Sequence, residues 1–343
     1  MSNGGSPTTG EAAVFISGSD SYVFISDNVS GVSANDVLIK LKGVTSTSLL
    51  PIDAAGNMVT PYTAAQLGAG YADIVVGDSV YVADTLSNLN SALATSTTGL
   101  TANDSNIDKV IVTDTGSISA TTLNAVDAGL TAVIDATFAT TITGTVAELK
   151  TTLITNSSTT TDSGAEAITL TNSGASANVL ATDLSSIGNL TSGTVTLNNT
   201  SVLAITGTVS EVTAALVTPN TQVVAATSAV TISDSTTVSE ANAIDAVTSG
   251  VITAGIASGT STALNALTGT GNAYTLTLST ASAVATELTS LDSKTTVAVN
   301  AAAATDLSGT AAQIVAVINA AGITKPTAYT ATLSGSTNSV TDV

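Results

Sequence analysis

The sequence predicts a mainly β chain with short helices, built as a repeat protein: a β-solenoid-like stack of strand-helix units, with tandem small β-sandwich-like domains as the alternative. Three observations predict it. A Gly-Thr element followed by Glu or Gln recurs along the chain, and strands of alternating Thr and aliphatic residues lie between its copies. The apolar residues are almost all Ala, Val, Leu and Ile, with aromatics at 3%. Such small side chains fill a thin, regular core by stacking.

From the N-terminus, residues 1–10 read as a flexible tail and 11–73 as a β-hairpin with a loop-rich stretch. Val14-Phe15-Ile16-Ser17 and Val23-Phe24-Ile25-Ser26 are near-copies around Gly18-Ser19-Asp20, which predicts a hairpin, and Val37 to Lys42 predicts a third strand. Residues 74–327 form the repeat region, and 328–343 a C-terminal strand and tail.

Copies of the repeat begin at Val82, Ile142, Ile205, Leu267 and Leu307, at intervals of 40 to 63 residues. Persistent self-similarity of this kind marks a repeat architecture. In three copies the Thr is followed three residues on by Glu or Gln: Thr145/Glu148, Thr208/Glu211 and Thr310/Gln313. Thr237/Glu240 repeats the device on another segment. This spacing predicts a capping box. The hydroxyl accepts the third helical N–H while the Glu or Gln side chain returns to the cap N–H, so a strand turns into a helix there. Asp84-Thr85 with Asn88 is a weaker version.

Between the boxes, strands are predicted at Val110–Asp114, Ile168–Thr171, Val230–Asp234 and Tyr274–Leu278. Apolar residues spaced by three and four then predict helices through Leu123/Val126, Leu184/Ile187, Ala241/Ile244 and Leu288/Leu291, each followed by another strand. Alternation of strand and helix favours parallel pairing, because the crossover helix must lie back on the sheet it left. No one module hides its own apolar face, so neighbours must cover it.

Composition excludes much chemistry. The chain has no Cys, His or Trp, and its six basic residues are all Lys. Nucleophilic relays built on imidazole or thiol, N/S zinc sites and redox dithiols therefore have no ligands or bases. Without Arg, and at a net charge of −19, nucleic acid is not an expected partner. Ser, Thr and Asn interrupt every apolar run, so no membrane insertion is expected. Met1 to Gly5 has neither a basic nor an apolar stretch of the Sec type. The chain reads as a structural protein and not an enzyme.

Metal-site candidates are acidic. Asp104, Asn106 and Asp108 have the D-x-N-x-D opening of a calcium loop, but Lys109 stands where Gly is needed and Thr115 where the bidentate Glu belongs, so it is not an EF-hand. A looser Ca²⁺ site competes there with a solvated turn. Asp20, Asp27 and Asn28 in the hairpin, and Asp73, Asp78 and Asp84, are similar Ca²⁺ candidates. Thr pairs such as Thr169/Thr171 and Thr194/Thr196 are read as ordinary exposed-strand residues.

The Thr-Gly-Thr-x-Ala/Ser-Glu-Val/Leu element, the Ile-Thr-Leu-Thr strands and the Ala/Thr-rich makeup of residues 74 to 323 resemble the giant repetitive surface proteins of aquatic bacteria. Those are S-layer-like or fibre-forming proteins, often exported by type I secretion. The resemblance implies a secreted, extracellular, cell-surface location, calcium-aided folding and self-assembly into a lattice or filament. No Gly-Gly-x-Gly-x-Asp nonapeptide is present. The expectation is thus a self-assembling structural subunit of a surface filament or S-layer, a homo-oligomer or polymer joined through terminal strands and stacked repeats. The alternative is a surface adhesin or glycan-binding module for which cell-surface glycan would be the partner.

Overall fold

The computed structural model describes residues 12–17, 20–25, 37–41, 61–68, 80–93, 100–172, 178–197, 204–219 and 221–335. They fall into two compact units, Met1–Ile111 with Leu130–Ala132, and Val112–Gly129 with Val133–Val343.

In the first unit, Ala12–Ser17, Asp20–Ile25 and Val37–Leu41 form an antiparallel three-stranded sheet, with Phe15 opposite Tyr22 and Phe24 opposite Leu38. The hairpin and third strand are those the alternation predicts. Further on, the strand Val80–Asp84 leads into the helix Leu86–Leu93. Its start is tied by Asp84, which accepts the Thr85 N–H at 2.8 Å and the Asn88 amide at 2.7 Å.

The second unit is mixed α/β, with short helices and parallel sheets. The expected strands and short helices are present, but helices alternate with strands through its described residues, so it is mixed α/β and not mainly β. Ser117–Ser119, Thr141–Gly144, Ala167–Leu170, Val195–Leu197 and Val223–Val224 pair side by side in parallel. Their register puts Ile118, Ile142, Ile168, Val195 and Val223 in one buried column. A second parallel sheet aligns Val179, Ile205, Val230 and Ile252, all buried. Each fully buried aliphatic of this kind contributes about 1.5–3 kcal/mol. The columns therefore supply much of the core, and buried helix residues such as Leu123, Val126, Leu184, Ile187, Ile244, Leu288 and Leu291 add to it.

One module is shorter than the sequence cycle. Paired strands lie between 20 residues apart, as for Thr253 and Ala273, and 28 apart, as for Val195 and Val223. The 60-residue cycle read from the capping boxes is about two modules long. The reason lies in the caps. Helices Val146–Lys150, Val209–Leu216, Val238–Asp245 and Ala311–Asn319 carry the full box, whereas Ala181–Gly188 and Ala285–Lys294 start after Leu180 and Val284 with no side-chain cap. The Thr-Gly-Thr at 268–270 begins no helix; it runs instead into the strand Ala273–Thr275.

Candidate assembly interface

Three recurrent devices join one module to the next. The first is a glycine against an alanine. A Cβ on Gly144 would lie 2.8 Å from the Ala120 Cβ, one on Gly207 3.1 Å from Ala181, and one on Gly309 3.1 Å from Ala285. In these three Gly-Thr elements the glycine thus lets its strand close onto the first helical residue of a preceding module.

The second device closes helix N-termini from both sides. In the Val146–Lys150 helix, Glu148 Oε2 accepts the Thr145 N–H at 2.8 Å and Thr145 Oγ1 accepts the Glu148 N–H at 3.3 Å. From a following module, Asn172 Oδ1 accepts the Val146 N–H at 2.9 Å, and Asp234 Oδ1 accepts the Val209 N–H at 2.7 Å. First-turn N–H groups have no intrahelical acceptor, so these side chains satisfy donors that the helix leaves open. Hydrogen bonds to the ionised form hold the Glu148 carboxyl below its ordinary range: first from the Thr145 backbone, then from the Thr121 hydroxyl, with burial opposing. Glu240 is lowered in the same way by the backbone N–H and hydroxyl of Thr237.

The third is a buried threonine at the corner after a helix. Thr191, Thr248 and Thr295 donate their hydroxyls to the carbonyls of Glu166 (2.6 Å), Ser228 (2.7 Å) and Tyr274 (2.7 Å) in a preceding module. Each hydroxyl also accepts the N–H two residues on, from Gly193, Gly250 and Val297. At the first two corners the approach is so close that a Cβ on Gly193 would lie 2.3 Å from the Glu166 carbonyl oxygen, and one on Gly250 2.2 Å from that of Ser228. The Thr-Ser-Gly tripeptide at 191–193 and 248–250 was readable as a repeat in its own right. It carries no cap signal, so the capping-box search passes over it. Next to the third corner, burial and then the Asp245 charge push the Tyr274 phenol above its ordinary range.

These devices run out at the strand Thr330–Leu333. It pairs in parallel with Asp306–Gly309 and is the last strand of its sheet. Asp306 Oδ1 pins it, accepting the hydroxyls of Thr330 at 3.1 Å and Thr332 at 2.9 Å. The N–H groups of Thr330 and Ser334 donate to the carbonyls of Thr305 and Gly309. By strand alternation the N–H and C=O of Ala331 and Leu333 point to the opposite edge, which pairs with no strand among the described residues. Side-chain cover ends here too. Ala283 and Leu307, in register with Ala331, are 3% and 1% exposed, whereas all four residues of the terminal strand are exposed, Leu333 at 44%. The preceding residue, Tyr329, is exposed as well. An unpaired strand edge with apolar side chains beside it is a template for another strand.

The metal candidates are placed differently. Asp104 accepts the Thr131 N–H at 2.7 Å and Asp108 the Val80 N–H at 2.7 Å, so each ties main chain. Asp84 additionally accepts the Ala64 N–H at 3.1 Å. The side chains of Asp20 and Asn106, and the whole of Asp27, Asn28, Asp73 and Asp78, lie outside the described residues. Among the described residues no three carboxylates come together, and no helix is long and apolar enough to cross a membrane. An open groove of about 440 Å³ is lined by hydroxyls, including Thr260, Thr280, Ser282 and Ser308. Its Ser261 and Thr262 donate to the Glu287 carboxylate.

Fold and interface together describe an α/β repeat chain whose last described strand has one edge without a partner among the described residues. Comparison with known proteins gives no match: no family model, no curated protein and no solved structure aligns with the chain.

Proposed function

We propose that the protein is a self-assembling structural subunit of an extracellular surface filament or S-layer, in which stacked modules form a β-solenoid that continues from one copy into the next. The observation that carries this reading is the strand Thr330–Leu333, the last of the described strands, with one edge that pairs with no described strand and all its side chains exposed. The in-register columns of the long unit support the solenoid, since each module already uses its neighbour as cover. A copy that adds a strand to this edge presents its own open strand in turn. Head-to-tail addition of this kind yields open filaments unless rotation closes a ring. The acidic, Cys-free composition, whose basic residues are all lysine, supports a location outside the cell.

The test is electron microscopy of the purified chain beside a version lacking residues 328–343. Filaments or sheets from the full chain, and none from the shortened one, are expected. A second reading, a surface adhesin or glycan-binding module, is favoured by the row Ser119, Thr143, Thr169 and Thr196, aligned across four strands on the face opposite the buried column. Binding to insoluble polysaccharide by a chain that forms no assemblies would favour that reading.

A further inference from the structure

We propose that the turn from Asp162 to Glu166, between the strands Thr160–Thr161 and Ala167–Leu170, binds a calcium ion with the Glu166 carboxylate as its principal ligand. Glu166 is only 2% exposed. Its Oε2 accepts the Ser163 hydroxyl at 2.8 Å and the Ala165 N–H at 3.1 Å, whereas its Oε1 is buried and meets no donor. A carboxylate oxygen held out of water without a partner is costly, and a cation relieves that cost.

Among the described residues no lysine is hydrogen-bonded or ion-paired to Glu166: Lys150 is paired with Asp183, Lys294 donates to the Leu267 carbonyl and Lys325 to those of Ile318 and Ala320. A second carboxylate, Asp162, belongs to the same turn, where it accepts the Gly164 N–H at 3.0 Å. Gly164 has φ +63, a conformation that lets so short a turn fold back. The corner is also chemically singled out. Of the three residues whose carbonyls accept a corner threonine, Ser228 and Tyr274 are uncharged and only Glu166 bears a carboxylate.

The ligand class follows from the donors. The turn offers carboxylate, hydroxyl and carbonyl oxygens, and the chain has no Cys or His, so a hard cation fits. Ca²⁺ takes six to eight oxygens in irregular geometry, which a short turn completes with carbonyls and water; Mg²⁺ demands near-ideal octahedral geometry. This site is independent of the open strand.

The experiment is calorimetric titration and thermal unfolding of the full chain, stripped with chelator and then given CaCl₂ or MgCl₂, beside E166Q and D162N. We expect the wild type to bind Ca²⁺ with Kd of about 10⁻³ M or tighter, to unfold at a higher temperature as Ca²⁺ is added, and to respond less to Mg²⁺. In E166Q the affinity falls at least about tenfold, a loss of about 1.4 kcal/mol. An unresponsive wild type, or an E166Q chain that responds to Ca²⁺ as the wild type does, overturns the proposal. Should E166Q fail to fold, D162N decides: a weakened response supports the site and an undiminished one overturns it.

Discussion

The Thr121 hydroxyl donates to Glu148 Oε1 at 2.7 Å, while Oε2 of that carboxylate accepts the N–H of its own cap residue, Thr145, at 2.8 Å. One side chain thus caps a helix and ties two modules. Asn124 reinforces the joint by donating to the Glu148 carbonyl at 3.0 Å. Glu287 repeats the tie without the cap, accepting the hydroxyls of Ser261 and Thr262, with Asn265 donating to its carbonyl at 2.8 Å. Replacing Glu148 by Ala removes the carboxylate half of the cap and the tie, and we expect a loss of about 1–2 kcal/mol, read as a lowered denaturant midpoint.

Acid should weaken the same joints. Because the folded-state values of Glu148 and Glu240 lie below the ordinary carboxylate value, the unfolded chain takes up protons first as pH falls. Their contribution is complete above about pH 5.5 and is lost as pH drops below about 4.5 and through the folded values. In the double variant Glu148→Gln and Glu240→Gln, the amides keep the box, as Gln313 does with Thr310. The fall in melting temperature between pH 6 and pH 3.5 should be smaller in that variant than in the wild type.

The corner glycines should be far less tolerant than those in open space. We expect Gly193→Ala or Gly250→Ala to cost about 2–4 kcal/mol, because each new Cβ would overlap a backbone carbonyl of the preceding module. At Gly255 nothing lies within 4 Å of an added Cβ. There the same change should alter stability by about 0.5 kcal/mol or less. Equal losses at all three sites, in chemical denaturation, would contradict the stacking geometry.

The buried corner hydroxyl gives a third comparison. Thr248→Val keeps the shape but leaves the Ser228 carbonyl and the Gly250 N–H without their shared partner. A destabilisation of about 1–3 kcal/mol is expected from equilibrium unfolding. Thr253→Val, on an exposed strand position, should be nearly neutral.

How far the sequence discloses this molecule can be judged from its caps. Thr145/Glu148, Thr208/Glu211, Thr237/Glu240 and Thr310/Gln313 were legible because a capping box is local, fixed in spacing and chemically specific. Parallel pairing followed from the alternation of strand and helix. The true module length did not, because the capping box marks only some of the helices: those after Leu180 and Val284, legible from their apolar spacing, have no side-chain cap to mark them as equivalent copies. The corner threonines and Glu166 were hidden for another reason. Their partners lie 20 to 25 residues away, so although Thr-Ser-Gly recurs at 191–193 and 248–250, nothing local says which carbonyl its Thr reaches. The terminal strand was legible as Ala328 to Ser334, but its open edge is a property of register, which needs coordinates.

Assembly through that edge is most directly tested by sedimentation velocity over a range of concentrations, with and without Ca²⁺, for the wild type and for Ala331→Pro combined with Leu333→Lys. Proline removes an N–H that points to the open edge while leaving the Thr330 and Ser334 bonds to the neighbouring strand, and lysine charges the exposed apolar position. Concentration-dependent growth of the wild type, with a variant that stays monomeric and melts within a few degrees of it, is the expected result. A wild type that remains monomeric at every concentration, or a variant that assembles equally well, would contradict it.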